Sequence, residues 1–138
     1  MWGIFVFRAR TLSVSIARPV RVVYDYLAEP RNLPAWTMAL GPSFREIAPN
    51  RWIAETPMME TGPITIGFSP RNRFGILDYE FAYADRAMTF PVRVVANGEG
   101  SEVIATLFAM PDASEERIVS EAEWVMTDLL TLKTLLEQ

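Results

Sequence analysis

The sequence predicts an α+β domain in which a curved antiparallel sheet of about six or seven strands wraps a long C-terminal helix, with two short helices after the first strand. Three observations predict it. Thr11 to Ala17 alternates apolar and polar side chains. A run of β-like segments punctuated by proline and glycine fills the middle of the chain. The C-terminal stretch repeats apolar residues at helical spacing.

The elements follow in chain order. Leu12, Val14 and Ile16 fall on one side of the first segment, Thr11, Ser13 and Ser15 on the other. A period of two marks a half-buried strand. Pro19 then offers a favourable first helical position, and Val20, Val23, Tyr24 and Leu27 recur at helical spacing through Glu29. Pro30 ends this helix, because a residue before proline is pushed out of the α region. Arg31 to Trp36 reads as a turn into a second, very short helix that ends before Gly41 and Pro42.

Arg51 to Thr56 and Ile64 to Phe68 read as short strands separated by Pro57 and Gly62-Pro63. Phe74 to Tyr83 reads as a longer one. Leu77, Tyr79, Phe81 and Tyr83 share one of its faces, and Phe74, Ile76, Asp78 and Glu80 the other. Met88 to Val95 and Ser101 to Met110 are joined through Asn97-Gly98-Glu99-Gly100. Asn-Gly between β-branched runs signals a hairpin, since both residues tolerate positive φ.

The last helix opens either at Asp112, which with Glu115 could form a capping box, or at Ser114. Ile118, Ala122, Val125, Leu129, Leu132 and Leu136 form its stripe. Val119, Met126 and Leu130 widen that stripe into a face able to lie on a sheet. Glu115 and Glu116 near the start and Lys133 near the end suit the helix dipole. A meandering sheet must bury one face, and this helix is the large apolar surface left to cover it. The short helices then plug one end. The outcome is a helix-grip arrangement with unfilled space expected between helix and sheet.

A length of 138 residues corresponds to one domain, 1–138, with residues 1–11 an apolar extension or lead-in to the first strand. The chain has no cysteine, hence no disulfide framework or thiolate chemistry. It also has no histidine, which removes every catalytic dyad built on imidazole and the commonest metal ligand. No metal site and no cofactor are expected. A net charge of −4, with Lys133 the sole lysine, disfavours nucleic acid. The apolar start lacks a preceding positive charge and is too short to span a bilayer, so a cytoplasmic protein without stable membrane insertion is expected.

The stretch Ser13-Val14-Ser15-Ile16-Ala17-Arg18-Pro19, followed by Val23-Tyr24-Asp25-Tyr26-Leu27 and the turn from Pro30 to Trp36, resembles the opening of the SRPBCC superfamily. These are the polyketide cyclase/dehydrase and START-like proteins, in which a strand runs into a helix bearing Val-Tyr-x-x-Leu, then a proline-asparagine turn and a tryptophan. Asn72 to Asp78 and Val92 to Val103 resemble an uncharacterised, polyketide-cyclase-like bacterial subgroup, and Asp128 to Lys133 matches the end of its last helix. The resemblance covers about residues 12 to 137 and implies a START-like fold. Tyr79 stands where the subgroup has a histidine after its aspartate, so no role of that histidine carries over. The superfamily hosts transporters, hydrolases, cyclases and co-chaperones on one scaffold, so it implies little about chemistry.

Two groups of residues are candidates for a site. Trp36, Trp52, Phe68, Tyr79, Phe81, Phe90 and Phe108 could line an apolar cavity, against the simpler reading that each packs a core. Asp78 and Arg93 are the polar candidates. A carboxylate within such an apolar run is costly to bury unpaired. Arg93 could pair with it structurally, or hold a ligand carboxylate. A two-residue turn at Asn97-Gly98 would set Arg93 across from Glu102, whereas a four-residue loop would set Glu102 across from Val95. Met58 and Met59 read as adaptable residues in a loop at the cavity mouth. The glycines form no phosphate-binding loop, and the carboxylate pairs Glu55/Glu60 and Asp78/Glu80 are not read as acid/base couples.

Three functions compete on these residues. The first is binding of a small hydrophobic molecule (lipid, isoprenoid, polyketide or aromatic) between sheet and helix. The second is a cyclase, aromatase or hydratase working by proton transfer, with Asp78 and Tyr79 as candidate catalytic groups. The third is a co-chaperone-like interaction module, in which the N-terminal extension could pair across a homodimer edge.

Overall fold

A computed structural model describes residues 3–38, 40, 43–55, 62–83 and 86–138. Strand β1 (Ala9–Ile16) leads into helix α1 (Val20–Ala28), a 3-10 turn (Pro30–Asn32) and the one-turn helix α2 (Leu33–Trp36). Pro19 sits one position earlier than expected, as the residue before the first helical one. The side-chain amide of Asn32 donates to the Tyr26 carbonyl at 2.9 Å, satisfying an acceptor that the end of α1 leaves open.

Among the described residues seven more strands follow: β2 (Arg45–Ala48), β3 (Arg51–Ala54), β4 (Ile64–Gly67), β5 (Tyr79–Tyr83), β6 (Arg86–Phe90), β7 (Val92–Asn97) and β8 (Gly100–Phe108). Helix α3 (Glu115–Leu136) closes the chain. All strand pairings among the described residues are antiparallel. They form a three-stranded sheet in the order β1-β8-β7 and a five-stranded sheet in the order β2-β3-β4-β5-β6.

The break between the sheets corrects the expectation of one strand from Met88 to Val95. Pro91 has no N–H to give a ladder, and it divides that run into β6 and β7. Counted as one interrupted strand, they bring the eight strands to the seven at the top of the expected range. The chain before β5 stitches the sheets together. Leu77 N–H donates to Val92 O at 2.9 Å, and Val94 N–H donates to Gly75 O at 3.0 Å. This segment was expected to be regular strand from Phe74 onward. Gly75, at φ +72, interrupts it, and only an isolated bridge between Ile76 and Arg93 precedes β5.

Strand β2 was not foreseen. Arg45, Glu46 and Ile47 are all exposed, so no alternation marks them. The hairpin to β3 turns at Asn50, whose φ of 60 is a conformation asparagine tolerates. Of the two registers considered for the β7–β8 hairpin, the structure has Val95 opposite Glu102 and Arg93 opposite Ile104. Arg93 therefore does not face Glu102. Asn97 pairs with Gly100, so the loop is Gly98-Glu99, and glycine supplies the required φ of 60.

Ser114, not Asp112, caps α3. Its hydroxyl accepts from Arg117 N–H at 3.1 Å, while Asp112 pairs with Arg86. Ile118, Ala122, Leu129, Leu132 and Leu136 are buried as the stripe requires. Val119 and Leu130 are exposed, so the buried face is narrower than expected. The C-terminal end of α3 is clamped to the start of the chain. Arg18 donates to Leu136 O at 2.7 Å, Lys133 to Ser15 O at 2.7 Å, and Ala17 N–H to Glu137 Oε2 at 2.7 Å. The core joins Val14 and Ile16 of β1, Val23 and Leu27 of α1, Val94, Val103 and Ala105 of β7 and β8, and the last three leucines of the α3 stripe. No helix among the described residues is long and apolar enough to cross a membrane.

Candidate functional site

Register builds the site on the inward face of the five-stranded sheet. Trp52 lies opposite Ile66, Ile66 opposite Phe81, and Phe81 opposite Met88. Residues paired across a ladder share a face, so these four form one row. Tyr79 opposite Phe90 begins a second row, and Phe68 continues the inward positions of β4.

The rings touch in sequence. Phe44 stacks on Trp52 with centroids 4.7 Å apart and planes at 20°. Trp52 meets Phe68 at 6.5 Å and 70°, and Phe68 meets Tyr79 edge-on at 5.5 Å and 77°. Phe81 and Phe90 lie 6.2 and 6.3 Å from Tyr79. These separations are the range in which aromatic pairs add to area burial. The guanidinium carbon of Arg31 stands 5.4 Å from the Trp52 ring centroid, a cation–π arrangement.

Two polar atoms inside this group are unsatisfied. Tyr79 is 2% exposed and Trp52 is 5% exposed. Neither the Tyr79 hydroxyl nor the Trp52 Nε1 has a hydrogen-bond partner among the described residues. Burial pushes the Tyr79 phenol well above its ordinary value, so it stays protonated. A buried donor left unpaired costs roughly 1–3 kcal/mol. Folded proteins leave few such atoms, and those they leave call for an explanation.

Around these two buried residues, Phe44, Phe68, Phe81, Tyr83 and Phe90 keep partial exposure. Helix α3 makes its main backbone approaches to β1 and α2. Two hollows, of about 220 and 310 Å³, lie among the described residues. The first is bounded by Arg8, Leu107, Glu115 and Ile118, the second by Ser15, Asn97, Lys133 and Glu137. Neither is lined by the aromatic rings.

The residues singled out in the sequence divide into three places. Trp52, Phe68, Tyr79, Phe81 and Phe90 come together as described. Trp36 is buried on α2, within the core but away from the ring-to-ring chain. Phe108 is on the opposite side of its sheet. Val103 and Ala105 point inward on β8, so Phe108 points outward, where it meets Phe7 at 6.2 Å. Asp78 and Arg93 are also outside. Asp78 lies between the buried Leu77 and Tyr79, and Arg93 between the buried Val92 and Val94. The two form an ion pair with each other, and Arg93 adds a 3.1 Å bond to Val92 O. Asp78 and Tyr79, the two catalytic candidates, thus face opposite ways, and no proton can pass directly between them. Met58 and Met59 lie outside the described residues.

Two residues escaped sequence reasoning. Phe44 sits in no periodic segment. Asp128 carried a readable signal: it falls three residues after Val125 and four before Leu132, on the flank of the buried stripe. Its Oδ1 accepts from Met38 N–H at 3.1 Å. Burial pushes its carboxyl up to about 6, with the Met38 N–H pulling the other way.

No family model and no curated protein matches the chain. Solved structures do. An uncharacterised protein from Bacillus thuringiensis superposes with a TM-score of 0.74 at 17% identity, over 95% of this chain and 100% of that one. A protein from Mesorhizobium loti gives 0.70 at 15% identity, over 94% and 96%. Ara h 8.0201, a Bet v 1-like protein, gives 0.68 at 11% identity, over 95% and 98%. At these identities the likeness is one of fold. The chain is an α+β protein of the helix-grip type, with antiparallel sheets, two short helices after the first strand and a long C-terminal helix.

Proposed function

We propose that this protein is a cytoplasmic carrier or sensor that binds a small hydrophobic molecule against the inward aromatic face of β2 to β6. The observation that carries the reading is the continuous line of rings from Phe44 to Phe90. Several of its members are only partly buried although they point inward. A sheet face of this kind is stable in water only at a cost, and apolar contact recovers about 25 cal/mol per Å² covered, before association costs. The proton-transfer reading loses its best pair, because Asp78 is engaged by Arg93 on the far side.

The test is native mass spectrometry of freshly purified protein, followed by extraction. A co-purifying hydrophobic molecule, or saturable binding of 1-anilinonaphthalene-8-sulfonate that Phe81→Asp abolishes, is the expected result. An empty protein that binds neither the dye nor any of a fatty acid, an isoprenoid and a polycyclic aromatic would overturn it.

A second reading draws on a different observation. Ile4, Phe5 and Val6 are 93%, 65% and 77% exposed, and Phe5 and Phe7 stack edge-on at 5.0 Å beside β1. Contiguous exposed apolar residues mark interaction surfaces. Sedimentation that shows a concentration-dependent dimer, lost when residues 1–7 are removed, would support association through this segment. A monomer throughout would end it.

A further inference from the structure

We infer that two copies of this chain associate by pairing strand β1 with its counterpart, antiparallel and edge to edge, about a two-fold axis at Thr11. The inference rests on the second reading above and deepens it, by assigning the surface that joins the copies and its register.

Strand β1 stands at the end of the order β1-β8-β7, so one of its edges meets no strand among the described residues. Ala9 pairs with Phe108, which sets Arg8 across from Ala109, and Ala109 N–H donates to Arg8 O at 2.9 Å. In an antiparallel ladder alternate residues turn both backbone groups to the same neighbour. Arg8, Arg10, Leu12 and Val14 therefore turn theirs to β8, and Ala9, Thr11, Ser13 and Ser15 turn theirs to the open edge. Bonds from the C-terminal end of α3 agree with this phase: Ser15 O accepts from Lys133, and Ala17 N–H donates to Glu137. Those bonds close the edge from Ser15 onward. From Ala9 to Ser13 no described residue bonds to the edge-facing N–H and C=O groups, and Ala9, Thr11 and Ser13 are exposed.

An open strand edge is a template for another strand, and proteins blunt it with proline, lysine, a bulge or a cover. Ala9 to Ser13 contains neither proline nor lysine, and its register with β8 is unbroken. The edge is also self-complementary, as a two-fold contact requires. With Thr11 against the partner's Thr11, Ala9 meets the partner's Ser13, and each edge-facing N–H meets a C=O. Arg10 then lies across from the partner's Leu12, so no like charges oppose each other. An axis at Ala9 would set Arg8 against the partner's Arg10. An axis at Ser13 would draw Ser15, already bonded to Lys133, into the seam. The axis at Thr11 avoids both. It joins the three-stranded sheets of the two copies into one, and it brings the exposed stretch Ile4 to Phe7 alongside the partner's Ser15.

The chain has no cysteine, so single cysteines report the register without background. Paired residues of such a ladder have Cα atoms about 5.5 Å apart, within disulfide reach. Under mild oxidation of the full-length protein, Thr11→Cys is expected to give a disulfide-linked dimer. Ala9→Cys and Ser13→Cys are each expected to stay unlinked alone, since like positions then lie roughly 14 Å apart, and to link when mixed. Thr11→Pro removes an N–H that β8 does not use, so it should weaken the dimer about tenfold or more in sedimentation equilibrium, with the circular dichroism of the fold unchanged. A dimer that Thr11→Cys fails to link, or that all the single cysteines link equally, would overturn the inference. If that dimer were still lost on removal of residues 1–7, the second reading would stand. A monomer at every concentration, including one whose edge takes only a strand of another protein, would overturn both. The cysteine comparison decides the matter even where Thr11→Pro fails to fold.

Discussion

The carbonyl oxygen of Val94 stands 2.3 Å from the place a β-carbon on residue 75 would occupy, so the backbone of β7 passes against Gly75 with no room for a side chain. At φ +72 the position is also one that other residues reach only with strain. Gly75→Ala should lower unfolding free energy by about 2–4 kcal/mol, read from urea denaturation. A loss under about 1 kcal/mol would show that the stitch between the sheets relaxes freely.

Asp128 sets a pH dependence. Its carboxyl is raised from an ordinary 3.8 to about 6, so the folded protein holds this proton more tightly than the unfolded chain does. The associated stability is full below about pH 4 and is lost as pH rises through about 6. Asp128→Asn keeps an acceptor for the Met38 N–H and removes the charge. After discounting for its partial exposure to solvent, we expect the variant to gain about 1 kcal/mol over wild type at pH 7.5 and nothing at pH 4. Thermal melts across that range check it, and a gain independent of pH would refute the assignment.

The ion pair of Asp78 and Arg93 lies on the outward side, with side chains 33% and 41% exposed. Pairs at that exposure contribute about 0–1 kcal/mol. Asp78→Asn should therefore cost under about 1 kcal/mol and leave dye binding unchanged within twofold. A tenfold loss of binding in the folded variant would return Asp78 to the site.

Ser114 supplies the N-cap of α3 through its 3.1 Å bond from Arg117 N–H. Ser114→Ala should cost about 1 kcal/mol. Asp112→Ala should cost less, because among the described residues Asp112 makes an exposed 3.5 Å pair with Arg86 and no cap bond. The reverse order, measured by chemical denaturation, would mean that the capping box at Asp112 forms in solution.

Much of this architecture could be read from side-chain pattern alone, where pattern coincides with burial. Leu12, Val14 and Ile16 gave away β1, and the leucines of α3 its buried stripe. Leu77 and Tyr79 marked the inward side of their segment correctly even though Gly75 cuts the strand short. Pattern failed where backbone chemistry decides. Proline at position 91 sits inside an apolar run that reads as continuous, and what it removes is a donor, which leaves no trace in hydrophobicity. Strand β2 is exposed along most of its length and so has no period to find. Within the site, the aromatic members were legible as residue types. Their grouping was not, because it depends on register: Phe108 and Phe90 look alike in sequence and end on opposite sides of their strands.

Pro91 has one more consequence. Since it interrupts the ladder where β6 hands over to β7, the wall facing the helix is made of two panels meeting at a crease. The panels are fastened beside it by Thr106 N–H to Pro91 O at 2.9 Å and by the Gly75–Leu77 stitch. Any torque between the panels falls first on these few fastenings, while each panel's own ladder is left whole. The relative setting of the two panels is therefore held by a handful of bonds at the crease and not by either ladder.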